Sequence, residues 1–213
     1  GGKSANLNNT FKDIPIFKVN EVEAIGLGAK NLYNINNEKF VVISAGTGTG
    51  CVFYDEKNYH YLGGISIGGG TLQGLSSLLI NTSDINEIEK LSNKGNRKNI
   101  DHLIGEVVND IGSLNPSITA SNFAKAKEIK NHNPKDVAAS LTNMIGEVIG
   151  TTAYLNAILA GVDKVYFLGR LSLSKTIKEA IDQRLKLANI NGIYEENREY
   201  GNVLGALACI QTK

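Results

Sequence analysis

The stretch Phe40-Val41-Val42-Ile43-Ser44-Ala45-Gly46-Thr47-Gly48-Thr49-Gly50 joins an apolar run of strand length to a glycine–threonine turn. Its first five residues are apolar almost throughout rather than at alternate positions, which predicts a strand, Phe40–Ser44, covered on both faces. Cys51-Val52-Phe53-Tyr54 and Tyr59-His60-Tyr61-Leu62 then flank the turn Asp55-Glu56-Lys57-Asn58, a hairpin signature. The hairpin returns into a second glycine cluster, Gly63 to Gly70 with Thr71. A helical pattern through Leu72, Leu75, Leu78 and Leu79 follows.

Working outward, Ile14-Pro15-Ile16-Phe17-Lys18-Val19 reads as a short strand, and Asn20 caps a helix through Leu32. The pattern from Asp84 to Ile129 is helical, with breaks at Gly95, Gly112 and Pro116. Asn133-Pro134-Lys135-Asp136 is a cap, a first-turn proline and a first-turn acid, opening a long helix that runs to about Gly161. Lys164-Val165-Tyr166-Phe167-Leu168-Gly169 is a second buried strand ending in glycine. Helices from Leu173 to Ala188 and from Gly201 to Cys209 close the chain. The class is α/β.

Composition narrows the function. The 213 residues balance 22 basic against 21 acidic side chains, a formal charge of +1, too weak a field to gather a nucleic-acid backbone. No apolar run approaches the ~20 residues that span a bilayer. Cys51 and Cys209 are too few for a disulfide framework and suit a reducing, cytoplasmic setting. His60, His102 and His132 are scattered and predict no metal site. Cys51, at a strand start, reads as a small buried hydrophobe, and the run Lys90, Lys94, Arg97, Lys98 as a solvated helix end. The abnormal entries are 23 glycines against 3 prolines.

Two glycine-rich turns at strand ends suggest phosphate, because backbone N–H groups without side chains can converge on an anion and threonine hydroxyls add donors. The second also opens a helix, whose N-terminus favours negative charge. Plain tight turns needing positive φ are the competing reading. Neither cluster is a P-loop. Gly46, Gly48 and Gly50 feed a strand rather than a helix, which argues against a dinucleotide fingerprint.

At this point the chain resembles the type II pantothenate kinases of the acetate kinase, sugar kinase, Hsp70 and actin superfamily. The likeness rests on Gly46-Thr47-Gly48-Thr49 and on Gly63 to Leu75, with its Gly-Gly-Gly-Thr-x-x-Gly-Leu core. It continues through Lys94-Gly95-Asn96, Ile100-Asp101, Thr119 to Phe123, Gly146-Glu147, Val165 to Gly169 and Leu204 to Leu207. The resemblance implies an actin-like (ribonuclease H-like) ATPase fold and phosphorylation of pantothenate, with ATP and Mg²⁺, as the first step towards coenzyme A. It implies Glu21 as general base, in Glu21-Val22-Glu23 ahead of Gly28. Gly46, Thr47, Gly48, Gly69, Gly70, Thr71, Leu72, Gln73, Gly169 and Arg170 would bind ATP, and Tyr61, Gly64 and Ser66 the substrate. It further implies a homodimer. Residues 1–35 would be the remainder of an N-terminal lobe, and 36–213 the ATP-binding and dimerisation lobe.

Two departures stand out. Tyr61, beside His60, stands where the family has an arginine that holds the substrate carboxylate. The family's first phosphate hairpin, with its Mg²⁺-organising aspartate, has no match. Opening on Gly1-Gly2-Lys3-Ser4, the chain reads as cut from a longer protein and is expected to be inactive alone. Two other functions stay open: a different ATPase or kinase of the superfamily, such as a dehydratase activator, and a non-catalytic nucleotide or acyl-CoA sensor.

Overall fold

A computed structural model describes residues 6–109 and 115–211; Gly1-Gly2-Lys3-Ser4 and the break read at Gly112 lie outside them. The chain opens on β1 (Thr10–Phe11) and β2 (Ile14–Pro15), paired antiparallel. The strand expected over Ile14–Val19 therefore ends at Pro15, which lacks an N–H, and one further bond, from the Ile16 amide to the Asn9 carbonyl at 2.8 Å, closes the pairing. Helix α1 (Glu21–Leu32) follows, capped by Asn20, whose side chain accepts from the Val22 and Glu23 amides. Strands β3 (Phe40–Ala45), β4 (Thr49–Tyr54) and β5 (Tyr59–Ile65) form the expected antiparallel meander.

Helices α2 (Gly69–Ile80) and α3 (Ile85–Ser92) lead to β6 (His102–Leu103), the one-turn helix α4 (Ile104–Val107) and β7 (Thr119–Ser121), which pairs with β6. Helix α5 (Pro134–Ala160), strand β8 (Lys164–Leu168), helix α6 (Lys175–Lys186), strand β9 (Asn191–Ile193) and helix α7 (Gly201–Gln211) complete the order. Asn133, Pro134 and the left-handed Gly161 (φ 68°) bound α5 where the sequence places them.

The main sheet has the order β5-β4-β3-β8-β9, with β8 parallel to both β3 and β9. Alternation along β3 explains its unbroken apolar run. Val41, Ile43 and Ala45 join Leu141, Ile145 and Ile149 of α5 and Ile177 and Ile181 of α6 in one core. Phe40 and Val42 join Ile25 and Ala29 of α1 in a second core on the opposite face.

Among the described residues between Asp84 and Ile129 the α-helical expectation holds only for α3 and the single turn of α4. Ile100, Leu103 and Ile118 are buried, but through tight turns and strands rather than along one helix face. The Asn96 side chain starts a 3₁₀ turn by accepting from the Lys98 amide, and Asp101 accepts from the Phe123 amide across the segment. Strand β9 is not foreseen. Helix α6 begins at Lys175, because Leu173 belongs to a 3₁₀ turn and Ser174 caps the helix by accepting from the Ile177 amide.

Candidate active site

Strands β3 and β8 run parallel with Ser44 in register with Leu168, so their glycine-rich ends emerge at the same edge of the sheet. Gly169 follows β8 with φ 93°, and a β-carbon there would fall 2.2 Å from the Ala45 carbonyl oxygen. Only glycine fits that bend.

The Gly46 amide donates to the Gly48 carbonyl at 2.9 Å and closes the first turn. The Gly46 and Thr47 carbonyls in turn accept from the amides of Gly69 and Gly70, at 2.8 and 2.9 Å. A β-carbon on Gly68 would lie 2.6 Å from the Thr47 carbonyl oxygen, so the contact requires glycine. The two glycine clusters are thus one structural unit. This alters the sequence expectation in one respect: the first two amides of α2 serve the neighbouring turn and are not free for an anion.

A cleft of about 990 Å³ opens over this unit. Gly46, Thr47, Gly69, Gly70, Leu72, Gln73, Gly169 and Arg170 all line it. Arg170 is exposed and has no ion pair among the described residues. Gly48 and Thr71 do not line the cleft; the Thr71 hydroxyl donates to the Ser66 carbonyl at 3.1 Å and accepts from the Gly68 amide at 3.4 Å. The Gln73 side-chain amide donates to the Ser83 carbonyl at 3.0 Å.

The rest of the wall comes from residues that carry no motif: Asn86 and Glu89 of α3, Ser174 and Lys175 at the start of α6, and Glu199, Tyr200 and Asn202 around the start of α7. Asn202 donates to the Ser44 hydroxyl at 3.0 Å, tying α7 to the end of β3. Glu89 accepts from the Ser174 hydroxyl and, at 3.2 Å, from that of Thr176, which places a carboxylate at the N-terminus of α6. The Gly169 amide donates to the Arg198 carbonyl at 3.0 Å, and the Arg198 guanidinium donates to Ser172.

Besides Gly48 and Thr71, four expected residues lie outside the cleft lining. Glu21 is exposed at the first position of α1. Tyr61, Gly64 and Ser66 are exposed on or just beyond the edge strand β5. Tyr61 lies over Gly50 and Gly64, and a β-carbon on Gly64 would meet its hydroxyl oxygen at 2.5 Å.

A separate polar cluster sits between the β6–β7 segment and α5. Asp101 is fully buried, accepts from the Ser140 hydroxyl and the Phe123 amide, and lies 3.6 Å from Arg97. Burial raises its carboxyl pKa despite those partners. Burial also pushes the Cys51 thiol up to about 12, so Cys51 is an inert core residue. No group of three or more His, Cys, Asp or Glu among the described residues is placed to hold a metal ion.

The Fumble family model matches residues 10–187. A type II pantothenate kinase of Bacillus cereus is 32% identical over 222 residues, spanning 100% of this chain and 80% of its own length. The chain belongs to the Fumble family of type II pantothenate kinases. Pantothenate kinase 1 of Arabidopsis thaliana is 37% identical over 139 residues, 61% of this chain and 36% of its own length. Among solved structures, a ROK family glucokinase from Streptomyces griseus, in complex with glucose and AMPPNP, superposes with a TM-score of 0.59. It is 12% identical and covers 95% of this chain and 70% of its own. The activator of the 2-hydroxyisocaproyl-CoA dehydratase from Clostridium difficile, with bound ADPNP, gives 0.53 at 17% identity over 88% of this chain and 64% of its own. These likenesses establish the actin-like ATPase fold that the family resemblance implies.

Proposed function

We propose that the chain transfers the γ-phosphoryl group of ATP to pantothenate, giving 4′-phosphopantothenate, the first step of coenzyme A synthesis. The observation that carries this reading is the cleft over the fused glycine unit, built at the ends of two parallel strands in a chain of this family. The pantothenate hydroxyl oxygen attacks the γ-phosphorus, the bond to the β-phosphate oxygen breaks, and ADP leaves. Glu21 accepts the hydroxyl proton; an exposed carboxylate suffices, because phosphoryl transfer depends on positioning more than on a strong base. Thr47 and Arg170 face the phosphates from the cleft lining. Mg²⁺, held by phosphate oxygens and water, would neutralise charge there.

Tyr61, Gly64 and Ser66 receive the substrate on the β5 edge, with the Tyr61 hydroxyl donating a hydrogen bond where the family has a positive charge. A homodimer of this lobe, residues 36–213, is supported by Leu155, Ile158 and Leu159 on the last turns of α5, which are 49%, 56% and 84% exposed. No helix of the described residues is long and apolar enough to cross a membrane. Among the described residues neither Cys51 nor Cys209 is in a disulfide, as suits a reducing compartment, and this supports placing the activity in the cytoplasm.

The test is ADP release by the purified full-length gene product with and without pantothenate, with the product's mass measured. Release that depends on pantothenate and a product heavier by one phosphoryl group support the reading. Hydrolysis indifferent to pantothenate would favour the partner-activating ATPase, and nucleotide binding without turnover the sensor.

A further inference from the structure

Glu199 lines the cleft from the 3₁₀ turn Arg198–Tyr200, immediately before α7. One of its carboxylate oxygens, Oε2, is shielded from water and has no hydrogen-bond partner among the described residues. Glu89, the other carboxylate of that wall, has both hydroxyls of Ser174 and Thr176 as donors. Glu199 has no ion pair among the described residues either. Its backbone is nevertheless held: the Arg198 carbonyl accepts from Gly169, and the Tyr200 amide donates to the Asn197 carbonyl at 2.9 Å. An orphaned carboxylate oxygen on a fixed turn at a ligand cleft calls for a donor that the protein does not supply.

Resting on the nucleotide reading of this cleft, the chemistry of that donor can be narrowed. A phosphate is excluded, since it brings negative charge and no donor hydrogen. A nucleotide offers two kinds of neutral donor, the ribose hydroxyls and an amino group on the base. The Glu199 turn is hydrogen-bonded to Gly169, which packs on Ala45 next to the glycine unit, and the sugar is the part of a nucleotide nearest its phosphates. Tyr200, the next residue, is 53% exposed in the same wall and offers a ring for the base to stack on. We propose that Glu199 binds the ribose hydroxyls of the nucleotide and so selects ribonucleotides over deoxyribonucleotides. The shielded oxygen would reach those hydroxyls through a change of side-chain rotamer, since the residue itself borders the cleft.

The experiment is calorimetric titration of the whole chain with ATP, 2′-deoxyATP and 3′-deoxyATP, using wild type, Glu199→Gln and Glu199→Ala. Wild type should bind at least one deoxy analogue about tenfold more weakly than ATP, as loss of a hydrogen bond to a charged group implies. Glu199→Ala should bring ATP down to the affinity of that analogue and leave the analogue unchanged. Glu199→Gln, nearly isosteric, should retain the wild-type melting temperature and only part of the discrimination. Equal affinity of wild type for all three nucleotides, or full discrimination by Glu199→Ala, overturns the assignment and leaves the nucleotide site intact. Failure of wild type to bind ATP at all overturns both.

Discussion

Gly28 and Gly205 meet backbone to backbone where α1 crosses α7. A β-carbon on Gly205 would fall 1.8 Å from the Ala24 carbonyl oxygen and 2.5 Å from the Gly28 amide nitrogen. One on Gly28 would fall 2.1 Å from the Gly201 carbonyl oxygen. Helix α1 starts at Glu21, and α7 starts at the cleft beside Tyr200, so this crossing joins the helix that carries the proposed base to the helix that borders the cleft.

Gly205→Ala should therefore separate the two helices. Overpacking of this kind costs about 1–3 kcal/mol. The expected result is a lower melting temperature together with a loss of kcat larger than the loss of ATP affinity. Melting curves and calorimetric titration measure both; unchanged kcat in a folded variant would uncouple the crossing from catalysis.

Glu21→Gln should abolish phosphoryl transfer while nucleotide affinity stays within about twofold, because Glu21 does not line the cleft. Removing a general base costs on the order of 10²–10⁴ in rate. Its neighbour Asn20 supplies the helix cap, so stability should hardly change. A wild-type kcat would leave Glu21 as no more than an acid at a helix start.

Gly169→Ala and Gly69→Val separate backbone strain from ligand approach. Gly169 combines φ 93° with a β-carbon position 2.2 Å from backbone oxygen, so even alanine should destabilise by about 3 kcal/mol. Gly69 sits in helical backbone, and its β-carbon would lie 3.0 Å from the Gly46 carbonyl oxygen. Valine there should cut ATP affinity at least tenfold with a smaller fall in melting temperature. A larger fall at Gly69 than at Gly169 would contradict this ranking.

Asp101 predicts a pH dependence with a definite sign. Its carboxyl pKa is raised in the folded state, so the folded protein takes up a proton at a pH where the unfolded chain is still ionised. The stabilisation linked to that proton is fully present below the unfolded value and is lost as pH rises through the folded one. Urea denaturation at pH 4 and pH 7 should show wild type gaining on Asp101→Asn at the lower pH. An equal difference at both pH values would remove the linkage.

The strand Phe40–Ser44, the hairpin and α5 are legible in the sequence because local chemistry and tertiary role agree there. An apolar run, a turn cluster and a capped, proline-led helix each ask for the structure they receive. The 84–129 segment misleads because its apolar spacing fits a helix, whereas long-range bonds from Asp101 to Phe123 and Ser140 decide its path. Strand β9 is three residues with a central glycine, too little for any periodicity. The glycine half of the cleft can be read from spacing alone. The wall of Asn86, Glu89, Glu199 and Asn202 cannot, because polar residues on separate elements converge only after folding, as Ser44 and Asn202 do across 158 positions.

The hydrogen bonds from Gly69 and Gly70 to the first glycine turn have a consequence for how a ligand is met. A free glycine loop would forfeit about 1–2 kcal/mol of conformational entropy per residue on closing over a nucleotide. Here that ordering is complete before any nucleotide arrives, because the turn is pinned to α2 and α2 to the core through Leu72. Recognition can then proceed as docking onto a rigid template. The same pinning ties the template to the sheet, so binding competence and the folded core should vanish in one cooperative transition, leaving no partly melted species able to hold a nucleotide.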